Sequence, residues 1–131
     1  MLPVIYLSVD QVLAVHRRVI QEFGGDPGLR DRGVLESAVA MPQSSFGGED
    51  LHHGLAEKAA AYHFHICANH AFIDGNKRVA VTAAEIFLLL NGYELGASDA
   101  EVEGITMGVA GGKTSKDQVS EFYVRLMMEA V

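Results

Sequence analysis

The sequence predicts an all-α protein: a single domain, residues 1–131, built as a bundle of about six helices. The chain has 131 residues, which is the size of one domain, and no segment reads as a linker. Residues that commonly begin helices precede apolar stretches with helical spacing. Glycine and proline residues then separate these stretches. These three observations favour short helices packed around one core.

The first two helices are predicted from their ends. Ser8–Gln11 has the form of a capping box and opens a helix that runs to about Glu22, before two successive glycines. Asp31 can cap a second helix over about 32–40, which Pro42 stops.

The third helix is predicted over 54–69, after an exposed loop at 41–53 that is rich in glycine and serine. Helical spacing predicts a buried face made of Leu55, Ala59, Tyr62 and Ile66. The same spacing predicts a solvent-facing side made of Glu57, Lys58, Ala61 and His65.

The fourth helix is expected to lie at the centre of the bundle. It begins near Asn76 and ends at Asn91-Gly92, and between 79 and 90 it is apolar on every side except at Thr82 and Glu85. A helix that is apolar all round is usually buried.

Two further helices complete the prediction. Ser98 caps a fifth that runs to about Gly111, and Thr114 or Ser115 begins a sixth that runs to the C-terminus. The sixth has an apolar face at helical spacing, formed by Val119, Phe122, Tyr123 and Leu126.

The segment 70–78, between the third and fourth helices, has the composition of a phosphate site. It reads His-Ala-Phe-Ile-Asp-Gly-Asn-Lys-Arg. Gly75 at a helix start leaves backbone N–H groups free for an anion, and Lys77 and Arg78 add full charges there. Each residue alone also fits an ordinary turn with solvated cations. However, cations at a helix N-terminus oppose the helix dipole unless an anion binds there.

The other polar residues of this segment complete a candidate catalytic loop. His70 can accept a proton at neutral pH, and Asp74 can hold a divalent cation against phosphate oxygens. Asn76 is expected either to hold a phosphate oxygen or to close the loop. Phe72 is expected to plug the loop into the core and to set the direction of His70.

The segment resembles the signature of the Fic/Doc superfamily, His-x-Phe-x-Asp/Asn-Ala/Gly-Asn-Gly/Lys-Arg, at every constrained position. It differs from the nucleotidyl-transferring Fic branch, which has Gly at the position of Lys77 and a second Arg at the position of Val81. Both differences point to the Doc branch, the death-on-curing toxins. The stretch 23–38 also resembles the early region of Doc-like chains.

This resemblance implies a Fic/Doc-type bundle and a toxin that transfers the terminal phosphate of ATP to a hydroxyl of elongation factor Tu. It implies ATP and Mg²⁺ as cofactors and a cognate antitoxin as partner. His70 would be the general base and Asp74 the Mg²⁺ ligand, with Lys77 and Arg78 on the ATP phosphates. The backbone from Gly75 to Lys77, with Asn76, would form an anion nest.

Three alternatives stay open at this point. One is nucleotidyl transfer to a protein hydroxyl, against which Lys77 and Val81 count. Another is a binding module that has lost catalysis. A zinc hydrolase is the third, but His63 and His65 are two residues apart on a helix and point away from each other. The remaining histidines considered for a zinc site are His52, His53 and His70.

The composition of the chain limits which partners the protein is expected to bind and where in the cell it is expected to act. A net charge of −7 argues against direct nucleic-acid binding, and no apolar run reaches the roughly 18 residues needed to cross a membrane. The start of the chain lacks a secretion signal, and a single cysteine, Cys67, permits no internal disulfide; both favour the cytoplasm. Ser45–Asp50 approaches the inhibitory pattern Ser/Thr-x-x-x-Glu-Gly/Asn of related Fic proteins but fails at its last position. Self-inhibition is therefore not expected.

Overall fold

The computed structural model describes residues 2–130 and confirms the all-α class. Its helices are α1 Val9–Phe23, α2 Arg32–Ala40, α3 Leu55–Asn69, α4 Asn76–Leu90, α5 Asp99–Ala110 and α6 Lys116–Leu126. A short 3-10 helix, Met41–Gln43, follows α2. Two small antiparallel pairs are present, β1 Ser45–Phe46 with β2 Glu49–Asp50 and β3 Tyr93–Leu95 with β4 Met127–Glu129.

The helix starts follow the predicted caps. Capping boxes open α1 at Ser8 and α5 at Ser98, and the Asp31 carboxylate accepts from the N–H of Val34 at the start of α2. Ser115, and not Thr114, begins α6, again with a capping box. Local side-chain hydrogen bonds therefore set where most helices begin.

The core lies between α3 and α4, which pack along each other. Helix α3 also contacts α2, α5 and α6, and α4 contacts α1 and β3. The middle of α4 is buried as expected, but Leu89 and Leu90 at its end are 56% and 43% exposed. The centre of the bundle is therefore shared by the two helices that flank the motif segment.

The predicted solvent-facing side of α3 is wrong for two of its residues. Lys58 is 3% exposed and Ala61 is fully buried, because neighbouring elements cover α3 on several sides. The Lys58 ammonium donates to the carbonyl of His52 at 2.6 Å and to the Asp50 carboxylate at 3.2 Å. These two acceptors allow the Lys58 charge to be buried. Helical spacing alone predicts that this side chain faces solvent.

The predicted course of α6 to the C-terminus is also wrong. Helix α6 ends at Leu126, and the next three residues form β4 against β3. The carbonyl of Leu126 accepts from the N–H of Gly96 at 2.7 Å. Pairing with a distant segment thus replaces the last helical turn, which a local pattern does not reveal. The loop at 41–53 is largely exposed, as expected, although Pro42 and His52 are buried.

A buried polar network joins α3, α5 and α6. The Thr106 hydroxyl donates to the carbonyl of Val102 at 2.6 Å, so its oxygen accepts from His63 Nε2–H at 2.9 Å. The other ring nitrogen, Nδ1, then accepts from the Tyr123 hydroxyl at 2.7 Å. Every polar group in this chain of bonds has a partner, which keeps the His63 ring neutral in the interior.

This network makes stability depend on pH. Burial lowers the pKa of His63 from 6.5 to about 4, so between those values the unfolded chain binds more protons than the folded one. Stability therefore rises with pH through this window and is lost on acidification, with His63 contributing on the order of 1–2 kcal/mol between pH 7 and pH 5. Urea unfolding of wild type and His63→Leu at both pH values should show a smaller pH effect in the variant. Equal pH effects would contradict the assignment.

Within residues 2–130, no helix combines the length and the apolar character that spanning a membrane would require.

Candidate active site

The candidate site begins where α3 ends. His70 is the C-cap residue of α3 and has left-handed backbone angles, φ 50° and ψ 49°. It is the one non-glycine residue with positive φ in the described part of the chain. Such a conformation is uncommon for histidine and is retained where the surroundings hold it. It turns the chain sharply out of α3 and leaves the His70 side chain exposed.

The segment between α1 and α2 holds this turn in place. Arg30 donates through Nε to the carbonyl of His70 at 2.8 Å, with a further Nη2 contact to the same oxygen. The N–H groups of Arg30 and Asp31 both donate to the carbonyl of Ala71, at 2.8 and 3.0 Å. Leu29 and Phe72 form an isolated antiparallel bridge. The stretch 23–38, which resembles the early region of Doc-like chains, therefore supports the loop within 70–78.

Phe72 anchors the loop in the core, as the sequence predicted. It packs against His16, which is not among the residues that the sequence predicted for the site. Phe72 is 1% exposed and stacks on the buried ring of His16, with centroids 3.8 Å apart and planes 9° from parallel. His16 Nε2–H also donates to the carbonyl of Asp74 at 2.9 Å. Its position on the stripe formed with Val12 and Val19 was the available signal.

Asn76 closes the loop. Its Oδ1 accepts from the N–H of Phe72 at 3.1 Å, and its Nδ2 donates to the carbonyl of Phe72 at 2.8 Å. Of the two roles considered for Asn76, the structure shows this one. Gly75 precedes it with φ 88°, a conformation that favours glycine and sets the start of α4.

The N-terminus of α4 has free hydrogen-bond donors. No side chain caps it, and among residues 2–130 the N–H groups of Asn76, Lys77 and Arg78 have no protein acceptor. Lys77 and Arg78 are both exposed. The Arg78 guanidinium lies over the ring of Phe23, with Cζ 3.7 Å from the ring centroid, which holds it beside the helix start. The arrangement suits an anion.

Asp74 lies in the same loop, directly before Gly75. Its Oδ2 accepts from the N–H of Asp26 at 2.7 Å, which leaves Oδ1 available. Gly25 permits this close approach, because a Cβ there would come within 3.1 Å of the Asp74 Cβ. Within residues 2–130, no three His, Cys, Asp or Glu side chains are grouped to hold a metal ion. One available carboxylate oxygen fits Mg²⁺, which commonly completes its shell with water and substrate phosphate.

These residues share one cleft of about 610 Å³. All the sequence-predicted site residues line it: His70, Asp74, Gly75, Asn76, Lys77 and Arg78. Phe23 and the glycines at the end of α1 form the facing wall. The structure thus brings together an imidazole, a carboxylate, two cations and free N–H donors. Together these can hold a phosphate group next to a proton acceptor.

The other candidate residues lie outside this cleft. Both ring nitrogens of His63 are hydrogen-bonded in the core, and neither it nor His52, His53 or His65 lines the cleft. Burial raises the pKa of the Cys67 thiol, although the charge of Lys77 opposes the rise. Cys67 is fully buried and its Sγ approaches the carbonyl of Thr106. It is therefore a small core residue and not a nucleophile.

Comparison with known proteins agrees with this geometry. Residues 6–88 match the model of the Fic/DOC family. The chain is 47% identical over 81 residues to the protein named Toxin Doc of Mycolicibacterium smegmatis, an alignment that spans 62% of each chain. It is 32% identical over 121 residues to the protein named Protein kinase doc of Escherichia phage P1, covering 92% of this chain and 94% of that one.

The chain belongs to the Fic/Doc family. Both relatives carry the name Doc, which confirms the resemblance to the Doc branch.

Proposed function

We propose that this protein is the toxin of a toxin–antitoxin pair and transfers the terminal phosphate of ATP to a Ser or Thr hydroxyl of a translation factor. Elongation factor Tu is the expected acceptor. The observation that carries the proposal is the single cleft in which His70 adjoins Asp74 and the uncapped start of α4. The names of the two relatives, a toxin and a protein kinase, agree with it. Transfer to a cytoplasmic translation factor requires that the protein act in the cytoplasm.

Each group in the cleft has a place in this reaction. His70 takes the proton of the acceptor hydroxyl as its oxygen bonds to the terminal phosphorus, and the bond from that phosphorus to the bridging oxygen breaks, releasing ADP. The free N–H groups of α4 and the cations of Lys77 and Arg78 stabilise the phosphate charge. Asp74 would hold Mg²⁺, which when bound neutralises further phosphate charge.

Nucleotidyl transfer is the main competing outcome within the family. Lys77 and Val81 stand where the nucleotidyl-transferring branch has Gly and Arg. The Lys77 side chain adds bulk and charge beside the anion site, and the absence of the Arg removes a clamp on outer phosphates. The nucleotide is therefore expected to bind with its terminal phosphate at the start of α4.

The reaction can be tested by intact-mass measurement of elongation factor Tu after incubation with the protein, ATP and Mg²⁺. A gain of about 80 Da is expected, the mass of one phosphoryl group. A gain equal to a nucleoside monophosphate would establish nucleotidyl transfer instead. If the factor is unchanged, ATP labelled in its terminal phosphate is added to a translation extract to find another acceptor. No labelled protein would contradict the proposal.

A cognate antitoxin is part of the proposal, since a toxin of this kind must be restrained. Ser45–Asp50, the one segment considered for self-inhibition, forms an exposed hairpin of β1 and β2 and not a helix. Restraint is therefore assigned to a separate protein.

A further inference from the structure

His70 also borders a second cleft, of about 480 Å³. We name it the far cleft. It is formed by α3, the end of α5 and the turn between α5 and α6. Its lining residues are Phe64, Ala68, His70, Val109, Ala110, Gly112, Lys113, Thr114, Ser115 and Gln118. His70 and Ala110 line this cleft and the cleft of the candidate site alike, so the two adjoin at the imidazole.

The far cleft differs in its chemical groups from the cleft of the candidate site. Among its described lining residues, Lys113 is the one Lys, Arg, Asp or Glu side chain, and it is exposed. The far cleft contains no carboxylate that could hold Mg²⁺ and none of the free N–H groups at the start of α4. Phe64, Ala68 and Val109 give it an apolar wall, and Thr114 and Gln118 add hydrogen-bonding groups.

Lys77 and Arg78 also border a third cleft, of about 570 Å³. These two residues line both the third cleft and the cleft of the candidate site. The cleft of the candidate site, which we name the phosphate cleft, therefore adjoins both of the other clefts. It shares His70 with the far cleft, and it shares Lys77 and Arg78 with the third cleft.

Phosphoryl transfer assigns an occupant to each of the two clefts that adjoin the phosphate cleft. The attacking and leaving oxygens lie roughly in line on opposite sides of phosphorus, and the base contacts the attacking hydroxyl. With the terminal phosphate in the phosphate cleft and His70 as base, the acceptor hydroxyl lies beside His70. The rest of the nucleotide is then assigned to the side of Lys77 and Arg78.

We propose that the far cleft receives the acceptor protein, as a short segment that presents its hydroxyl to His70. This assignment rests on the proposed function. The positive charge of Lys113 then lies beside the bound segment. Neutral or acidic residues are therefore favoured next to the acceptor hydroxyl. The apolar wall suits a segment with small or apolar neighbours.

Filling the far cleft tests the assignment. In Lys113→Trp, a bulky ring replaces an exposed side chain that makes no hydrogen bond or ion pair in residues 2–130. The KM for the acceptor protein identified by mass or labelling is expected to rise on the order of tenfold, while the Kd of ATP is unchanged. Arg17→Trp, at an exposed cation of α1 outside all three clefts, is the matched control and should change neither quantity.

Thiol labelling gives an independent measurement. In Lys113→Cys, the acceptor protein should slow modification of the new thiol, and ATP with Mg²⁺ alone should not. Native Cys67 is fully buried, so it adds little background. Protection of position 113 by ATP alone, or an unchanged KM in Lys113→Trp, would overturn the assignment while leaving the proposed reaction intact. Wild-type protein that labels no acceptor would instead overturn the reaction, and the assignment with it.

Discussion

His70→Asn is expected to lower the rate of phosphoryl transfer by roughly 10²- to 10⁴-fold, the usual contribution of a positioned general base. Asparagine is the informative replacement because it tolerates the left-handed backbone that His70 adopts, with φ 50°. Alanine would add backbone strain and confuse loss of the base with disturbance of the loop. Single-turnover transfer from labelled ATP measures the chemical step directly.

Two controls separate catalysis from structure. The Kd of ATP should stay near the wild-type value in His70→Asn, because the phosphate donors belong to α4 and not to His70. His53→Asn, at an exposed histidine outside the cleft, should leave the transfer rate unchanged. Growth arrest that persists with a normally stable His70→Asn protein would favour the binding-module alternative.

The residues of the candidate site could be predicted because their signals are local. A fixed spacing within 70–78 determines which groups share the loop, and Gly75, with φ 88°, sets where α4 begins. The structure adds the support of this loop, which comes from residues far away in sequence. His16 and Arg30 are 58 and 40 positions from their hydrogen-bond partners Asp74 and His70. No local pattern specifies such pairs.

The errors of the sequence prediction have the same origin. Helical spacing describes one helix against one core, whereas α3 is packed by several elements. Helical spacing therefore predicts that Lys58 faces water, although acceptors from the loop before α3 hold its ammonium in the interior. Local spacing does not predict the end of α6, because β4 depends on pairing with β3. Long-range contacts override local propensity in both cases.

Arg78→Ala and Lys77→Ala are expected to abolish toxicity without unfolding the protein. Both side chains are exposed and line the phosphate cleft. A hydrogen bond to a charged group contributes about 1.5–3 kcal/mol, so each change should weaken ATP binding by roughly 10- to 150-fold. Calorimetric titration with ATP and Mg²⁺ measures the loss. The free energy of unfolding should move by no more than about 0.5 kcal/mol in Lys77→Ala and by about 1 kcal/mol in Arg78→Ala, which also loses the contact with the Phe23 ring.

Arg78→Lys separates charge from geometry. The Arg78 guanidinium lies over the Phe23 ring, and a guanidinium can present two parallel N–H groups to a phosphate, which an ammonium cannot do. Arg78→Lys should therefore recover part of the ATP affinity lost in Arg78→Ala and not all of it. Arg125→Ala, at an exposed cation in the last turn of α6, serves as the control for net charge. If Arg78→Ala or Lys77→Ala unfolds, or binds ATP as wild type does, these side chains do not face the phosphate and the proposed reaction loses its anion site.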